Sequence, residues 1–315
     1  MHKRFVNQCT IDISILPSGP ILIKAEEGAD PTKPNMEFVE TYHAGGRSIY
    51  LPGSSLKGAI RAHAERIVRT VGRDKRDLNN SNILWANDPL NDKYDYLKDK
   101  SAPDIYRLSS FTDQMFGNTA IASRIRIEDA YPVDPKQLKL EERNGVAIDR
   151  VFGSVAVGPF NYQVCTSGEF KTKIHLKNFS LAQLGLIGLV LRDLDEGWFG
   201  LGFAKSRGLG MVEIKLNSAV VQYPGCVLEN EQIRSIGAQK QWPNNRLLGA
   251  GVFLESEERE RYGFPADDEQ EMDISAKSME LNFGVELQWQ GDQDVKKLFI
   301  KAVESWCSIL QGATA

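Results

Sequence analysis

The sequence predicts an α+β fold: a ferredoxin-like core with loop and hairpin insertions and a C-terminal helical extension. Extended segments with alternating apolar residues flank two segments whose apolar residues recur every three to four positions, the helical period. The order is strand, loop, helix, strand, hairpin, helix, glycine-rich loop, strand, which is the split βαβ arrangement with insertions. The 315 residues suffice for one large domain or two small ones, and 42% hydrophobic with 25% charged residues is the composition of a soluble globular chain.

Each element has its own signal. Residues 4–14 alternate as a first strand through Phe5, Val6, Cys9, Ile11 and Ile13, and Ile21-Leu22-Ile23 is a second extended piece. Residues 25–47 are a loop rich in Gly, Pro, Asp and Asn. Pro52 and Gly53 break the extended run Ser48-Ile49-Tyr50. A helix then runs from Ser54 to about Gly72, with Leu56, Ile60, Ala64, Ile67, Val68 and Val71 as its apolar stripe. The polar residues 73–105 read as an insertion or long surface loop. Ala122–Ala130 alternates as a strand, and a hydrophilic stretch, 132–150, leads into a hairpin over Val151–Val164. Lys173–Leu176 is a short strand. Ser180 caps a helix to Leu194 that buries Leu184, Ile187, Val190, Leu191 and Leu194. A glycine-rich loop over Gly197–Gly210 enters a strand at Met211–Ile214. The core, comparable to an RNA-recognition motif, is thus residues 1–225. Residues 226–315 are expected as a separate extension with a mobile, solvated acidic loop. Its end, from Val295 to Leu310, has helical spacing. Docking within the chain is the expectation for that helix, a partner contact the alternative.

The formal net charge of −4 argues against a free-standing nucleic-acid binder held by bulk charge. It leaves room for local basic surfaces. Residues 57–76 carry Lys57, Arg61, Arg66, Arg69, Arg73, Lys75 and Arg76 against Glu65 and Asp74, and the balancing acid lies at 254–273. Cys9, Cys165, Cys226 and Cys307 form no CxxC pair, which disfavours a zinc ribbon or dithiol site and predicts buried, reduced thiols. Of the four histidines, only His43 and His63 lie near the informative loops. No window approaches a membrane helix, and the N-terminus lacks a signal peptide's apolar core, so a cytoplasmic location is expected.

Two segments carry chemistry. At Leu51–Arg61 a strand end turns into a helix, and Ser54 or Ser55 is placed to cap it. Free N–H groups and the positive dipole end suit an anion. Lys57 and Arg61, four apart, share one helix face. An ordinary capped helix with solvated cations is the alternative. Gly197–Gly210 contains GxG but follows a helix and enters a strand, the reverse of a dinucleotide loop, and Lys205 stands at the third-glycine position. A phosphate-binding P-loop also fails, because no glycine stands directly before Lys57 and the following residue, Gly58, is not Ser or Thr. What remains is a loop whose glycines permit close backbone approach to a ligand, with Lys205, Ser206 and Arg207 as phosphate or sugar contacts. A tight packing loop is the alternative.

The segments PGSSLKGAIRAHAERI, FGNTAIASRIRIEDAYP, GVAIDRVFGSVAVGP and GFAKSRGLG occur in that order. Together they closely resemble the RAMP superfamily of CRISPR proteins, over most of residues 1–215. The best match is the backbone (Csm/Cmr-type) subunit of type III effector complexes, of the type III-D branch. The resemblance implies a modified ferredoxin-like fold that wraps guide RNA as one unit of a filament, with target RNA and other complex subunits as partners and no membrane. Its RNA contacts carry over to Gly53, Ser54, Ser55, Lys57 and Arg61, and to Lys205, Ser206 and Arg207. A hairpin thumb, expected over 132–164, enters the guide–target duplex, and Asp149, Arg150 and Phe152 look like part of it.

In this family the backbone subunit cuts target RNA with a loop aspartate and a divalent metal, Mg2+ being the expected ion; a chain that does not cut needs none. The loop is residues 25–47. The family pattern aligns best with Asn35, a departure, since an asparagine carries no charge, is no general base and is a poor ligand for a hard cation. Asp30 is the other candidate for the carboxylate, with an Asp-Pro turn residue as the bland reading; Glu37 and His43 are weaker candidates, and the metal ligands are unknown. Either Asp30 is catalytic, or Asn35 is an inactivating replacement, or the subunit never cleaves. A non-cleaving structural or capping subunit, and a guide-processing endonuclease of the same superfamily, are the other readings.

Overall fold

The computed structural model describes residues 4–25, 34–43, 46–77, 84–90 and 93–314. In chain order the strands and helices begin β1 (Gln8–Pro17), β2 (Glu40–His43), β3 (Gly46–Ile49), α1 (Gly53–Val71), α2 (Ala102–Leu108) and α3 (Asp113–Phe116). They continue β4 (Ile125–Ile127), β5 (Tyr131–Pro132), β6 (Lys139–Ile148), β7 (Val155–Ser167), β8 (Phe170–Lys177), α4 (Leu181–Asp195) and β9 (Val212–Tyr223). The remainder is β10 (Cys226–Glu229), β11 (Gln232–Ser235), β12 (Gln241–Pro243), β13 (Arg246–Leu248), α5 (Ser256–Tyr262), β14 (Glu269–Glu271), β15 (Lys277–Ser278), β16 (Val285–Gln290) and α6 (Asp292–Thr314).

The main sheet runs β15-β16-β9-β1-β8-β4, and β5 also pairs with β8. Its inner part, β9-β1-β8-β4, has the ferredoxin-like order, with every neighbouring pair antiparallel. β1 forms because Cys9, Ile11, Ile13 and Ile15 alternate inward, and all four are buried. α4 starts on a complete capping box, in which Ser180 and Gln183 satisfy each other's backbone N–H groups. Ile21–Ile23 is buried but forms only isolated bridges, Ile21 to Cys165 and Lys24 to Phe38 in the adjoining residues.

Several expectations are corrected. On α1 the buried stripe takes in His63, while Val71 is exposed at the helix end. Of the two readings of 73–105, the described residues fit the insertion: Leu84, Ala86 and Leu97 are buried and α2 begins at Ala102. The hairpin's first strand is β6, inside the hydrophilic stretch. Residues 226–315 join the main sheet, since β16 pairs with β9, whereas α6 docks within the chain as expected, along α4 through Val295, Leu298, Phe299, Ala302 and Trp306. One hydrophobic cluster spans both halves. Each such buried side chain stabilises by about 2 kcal/mol. The acidic segment is ordered as α5 and β14. Within it Asp268 is buried and accepts the N–H groups of Leu181 (2.8 Å) and Gly251 (2.9 Å). Cys9, Cys165 and Cys226 are buried, but Cys307 is exposed. Among the described residues no helix is long and apolar enough to cross a membrane.

Candidate nucleic-acid interface

The start of α1 is held by a residue far away in sequence. Pro52 is the N-cap and no side chain of the helix caps it. Instead Asp129 Oδ1 accepts the Gly53 N–H at 2.7 Å. A carboxylate at the positive end of the dipole is favourable. Gly53 is required by close approach, since a Cβ there would lie 2.3 Å from the Ile127 carbonyl oxygen. This corrects the expected cap: Ser54 and Ser55 sit in the first turn, both exposed, and the first N–H is already taken.

The two cations of this face part company. Arg61 donates Nε to Glu65 (2.8 Å), Nη2 to Asp113 (2.8 Å) and Nη1 to the Gly117 carbonyl (2.9 Å). Burial opposes its charge, but the Glu65 hydrogen bond and the Glu65 and Asp113 carboxylates outweigh it and raise its pKa. Arg61 is thus a bolt between α1 and the 113–117 turn. Lys57 donates to Ser123 Oγ, at 2.8 Å. Burial and then the neighbouring Arg61 charge lower its pKa. Among the described residues no carboxylate pairs with it. A half-buried ammonium with a cation beside it and no counter-charge favours an incoming anion. Next to it Gly58 is exposed, and a Cβ there would meet nothing within 4 Å.

The loop at 197–210 is shaped by its own chain. A Cβ on Gly202 (φ +77°) would lie 2.2 Å from the Leu22 carbonyl oxygen. Phe203 N–H donates to that oxygen at 2.7 Å, and Gly210 N–H donates to Pro20 O at 2.9 Å. Gly202 thus lets the loop lie against residues 20–22, the packing alternative, while a Cβ on Gly208 (φ +84°) would meet nothing within 4 Å. What faces outward is a single 3-10 turn, Lys205–Arg207, with all three residues exposed. The Arg207 guanidinium stands 5.1 Å from the Phe203 ring, and no carboxylate pairs with Lys205 or Arg207 among the described residues. Loop and α1 are joined inside: His63 Nε2 meets Asp193 Oδ2 at 2.7 Å, and its ring stacks 4.3 Å from Phe199.

β6 and β7 make a long hairpin with an exposed apolar end. Val151 and Phe152 are 82% and 84% exposed, and Ile148, Val155 and Val157 near the tip are exposed too. Asp149 builds the turn: its Oδ1 accepts the N–H groups of Val151 and Phe152, each at 2.8 Å. Its role in this structure is therefore to shape the turn, and Arg150 is exposed beside it. Two described residues of the candidate cleavage loop lie against β7. Exposed Asn35 donates its backbone N–H to Asn161 Oδ1 at 2.8 Å, and Met36 bridges Tyr162. Asp30 lies outside the described residues.

A family model described as the RAMP superfamily matches residues 18–213, more than half of the chain. The chain belongs to the RAMP superfamily. No curated protein matches it. As a RAMP protein it is a CRISPR-associated, RNA-binding subunit that works with partner subunits. The match spans the Asp129-capped helix, the β6–β7 hairpin and the basic turn.

The described residues of this RAMP protein do not gather a metal centre: no three His, Cys, Asp or Glu side chains among them stand close enough to hold an ion. Asn35 offers only a neutral amide. Sequence reasoning missed Asp129 and Asp113, whose partners lie 76 and 52 residues away. The one local signal is Glu65, four residues after Arg61 on the same helix face.

Proposed function

We propose that this RAMP protein is a guide-RNA-binding backbone subunit of a type III CRISPR ribonucleoprotein that holds the guide–target duplex. The observation that carries this reading is Lys57, a half-buried cation that no carboxylate pairs among the described residues, close in sequence to the exposed hydroxyl residues Ser54 and Ser55. A phosphate supplies the missing charge and accepts from both hydroxyls. The exposed Lys205–Arg207 turn supports a second backbone contact, and the apolar tip at Val151 and Phe152 suits insertion between bases. Sequence is then read by base pairing while the protein reads the backbone. One basic face is enough for this, which reconciles RNA binding with a net charge of −4.

Cleavage is proposed to be slow or absent in this chain, because Asn35 brings no carboxylate to the loop. Purification of the complex tests the main reading: it should carry RNA of one defined length, and a protein free of RNA, or carrying RNA of random length, contradicts it. Within the assembled complex, Asn35→Asp should gain target cleavage in Mg2+. No gain from Asn35→Asp together with loss on Asp30→Ala would move the cleavage position to Asp30.

A further inference from the structure

Three aromatic rings form a column beside the start of α1. The rings of His43 and Tyr131 stack with centroids 3.7 Å apart and planes 7° from parallel. Tyr50 continues the column 5.9 Å from Tyr131, its plane 16° away. The backbone fixes this arrangement. Leu51 and Ala130 exchange both N–H···O bonds, at 2.9 and 2.8 Å, which sets Tyr50 beside Tyr131. His43 closes the β2–β3 ladder opposite Gly46.

Core packing does not account for the column, because Tyr50 and Tyr131 are only half-buried and His43 is exposed. Tyr131 covers one face of the His43 imidazole, and the His43 side chain remains exposed. The foot of the column is polar and anionic. The Tyr131 hydroxyl donates to Asp129 Oδ2 at 3.4 Å, and Oδ1 of the same carboxylate caps Gly53. Arg47, on the neighbouring strand, is neutralised by Glu40 at 2.6 Å. The rings of the column offer π surface, which a planar base can cover.

We propose that the outer face of His43 is a stacking platform for one nucleobase of the RNA strand whose phosphates meet Lys57. This deepens the RNA-binding reading above and rests on it. Base–aromatic stacking is tolerant of sequence, since every base has a π-face, and it fits a protein that leaves sequence to base pairing.

The test is the affinity of the nucleic-acid-free, full-length protein for an oligoadenylate of about 12 nucleotides and for an abasic ribose-phosphate chain of equal length. His43→Ala should weaken oligoadenylate binding about fivefold or more, and His43→Phe should restore it. The abasic chain should bind His43→Ala and the unsubstituted protein equally. Unchanged oligoadenylate affinity in His43→Ala, or an equal loss on the abasic chain, overturns the platform while leaving the RNA-binding reading in place. An unsubstituted protein that binds neither chain overturns both.

Discussion

Arg61 Nη2 lies 2.8 Å from Oδ1 of Asp113, a carboxylate with no exposed side-chain surface. Asn87 donates to the other oxygen at 2.6 Å, and burial still raises the Asp113 pKa. Removing the cation would strand a buried carboxylate. Arg61→Ala should therefore lower stability by about 3 kcal/mol, read by urea denaturation. Lys57→Ala strands no partner carboxylate and relieves a like-charge contact, so its stability should change by less than about 1 kcal/mol. Its RNA affinity should nevertheless fall, with the salt slope shallower by about one. That pair of outcomes would separate the two cations of one helix face into a fold bolt and a ligand contact.

Asp129 tests how the helix start is built. Asp129→Ala should cost about 1 kcal/mol by thermal denaturation, the usual penalty for losing a cap. Asp129→Asn keeps an oxygen for the Gly53 N–H and should cost less than half of that. Equal losses for the two would mean that the charge, and not the hydrogen bond, is what matters at this end.

Asp268 gives a pH dependence of definite sign. Burial pushes its carboxyl up to about 6, against the hydrogen bonds from Leu181 and Gly251. A carboxyl that binds its proton more tightly when folded stabilises the fold fully below about pH 4, and that contribution is lost as pH rises through about 6. The fall is at most about 3 kcal/mol. Asp268→Asn should be less stable at pH 7, because its amide cannot accept from both N–H groups. The difference in stability between the two proteins should change across pH 4–6, with the Asp268→Asn variant lacking this fall; parallel curves over that range would contradict the assignment.

Gly58 separates folding from binding. A helix-interior glycine costs about 1 kcal/mol relative to alanine, and no neighbouring atom forbids a Cβ there. Gly58→Ala should raise the melting temperature and weaken RNA binding, since the added methyl stands on the face beside Lys57. Higher stability with unchanged affinity would show that nothing comes close to that face.

Much of the fold is legible in the chain, for physical reasons that differ by element. Ser180 and Gln183 announce α4 because a capping box has fixed spacing, and β1 announces itself because one face is buried and the alternation is clean. β6 is hidden because it has no buried face: from Lys139 to Ile148 it is largely exposed on both sides, so no period-2 signal exists. The acidic segment misleads because composition does not reveal that Asp268 faces two backbone donors. At the site, Lys57 is recognisable from its motif, but the commitment of Arg61 is not, since Asp113 reaches it only through the fold. The His43–Tyr131 column is equally non-local, joining residues from either side of α1.

The central claim is that Lys57 on α1 and Arg207 on the basic turn meet one RNA backbone. The most direct measurement is the affinity of the folded Lys57→Glu, Arg207→Glu double variant for guide-length RNA at fixed salt. Reversal of both charges should abolish retention of the strand, with each single variant losing part of it. Full affinity in the double variant would contradict the account.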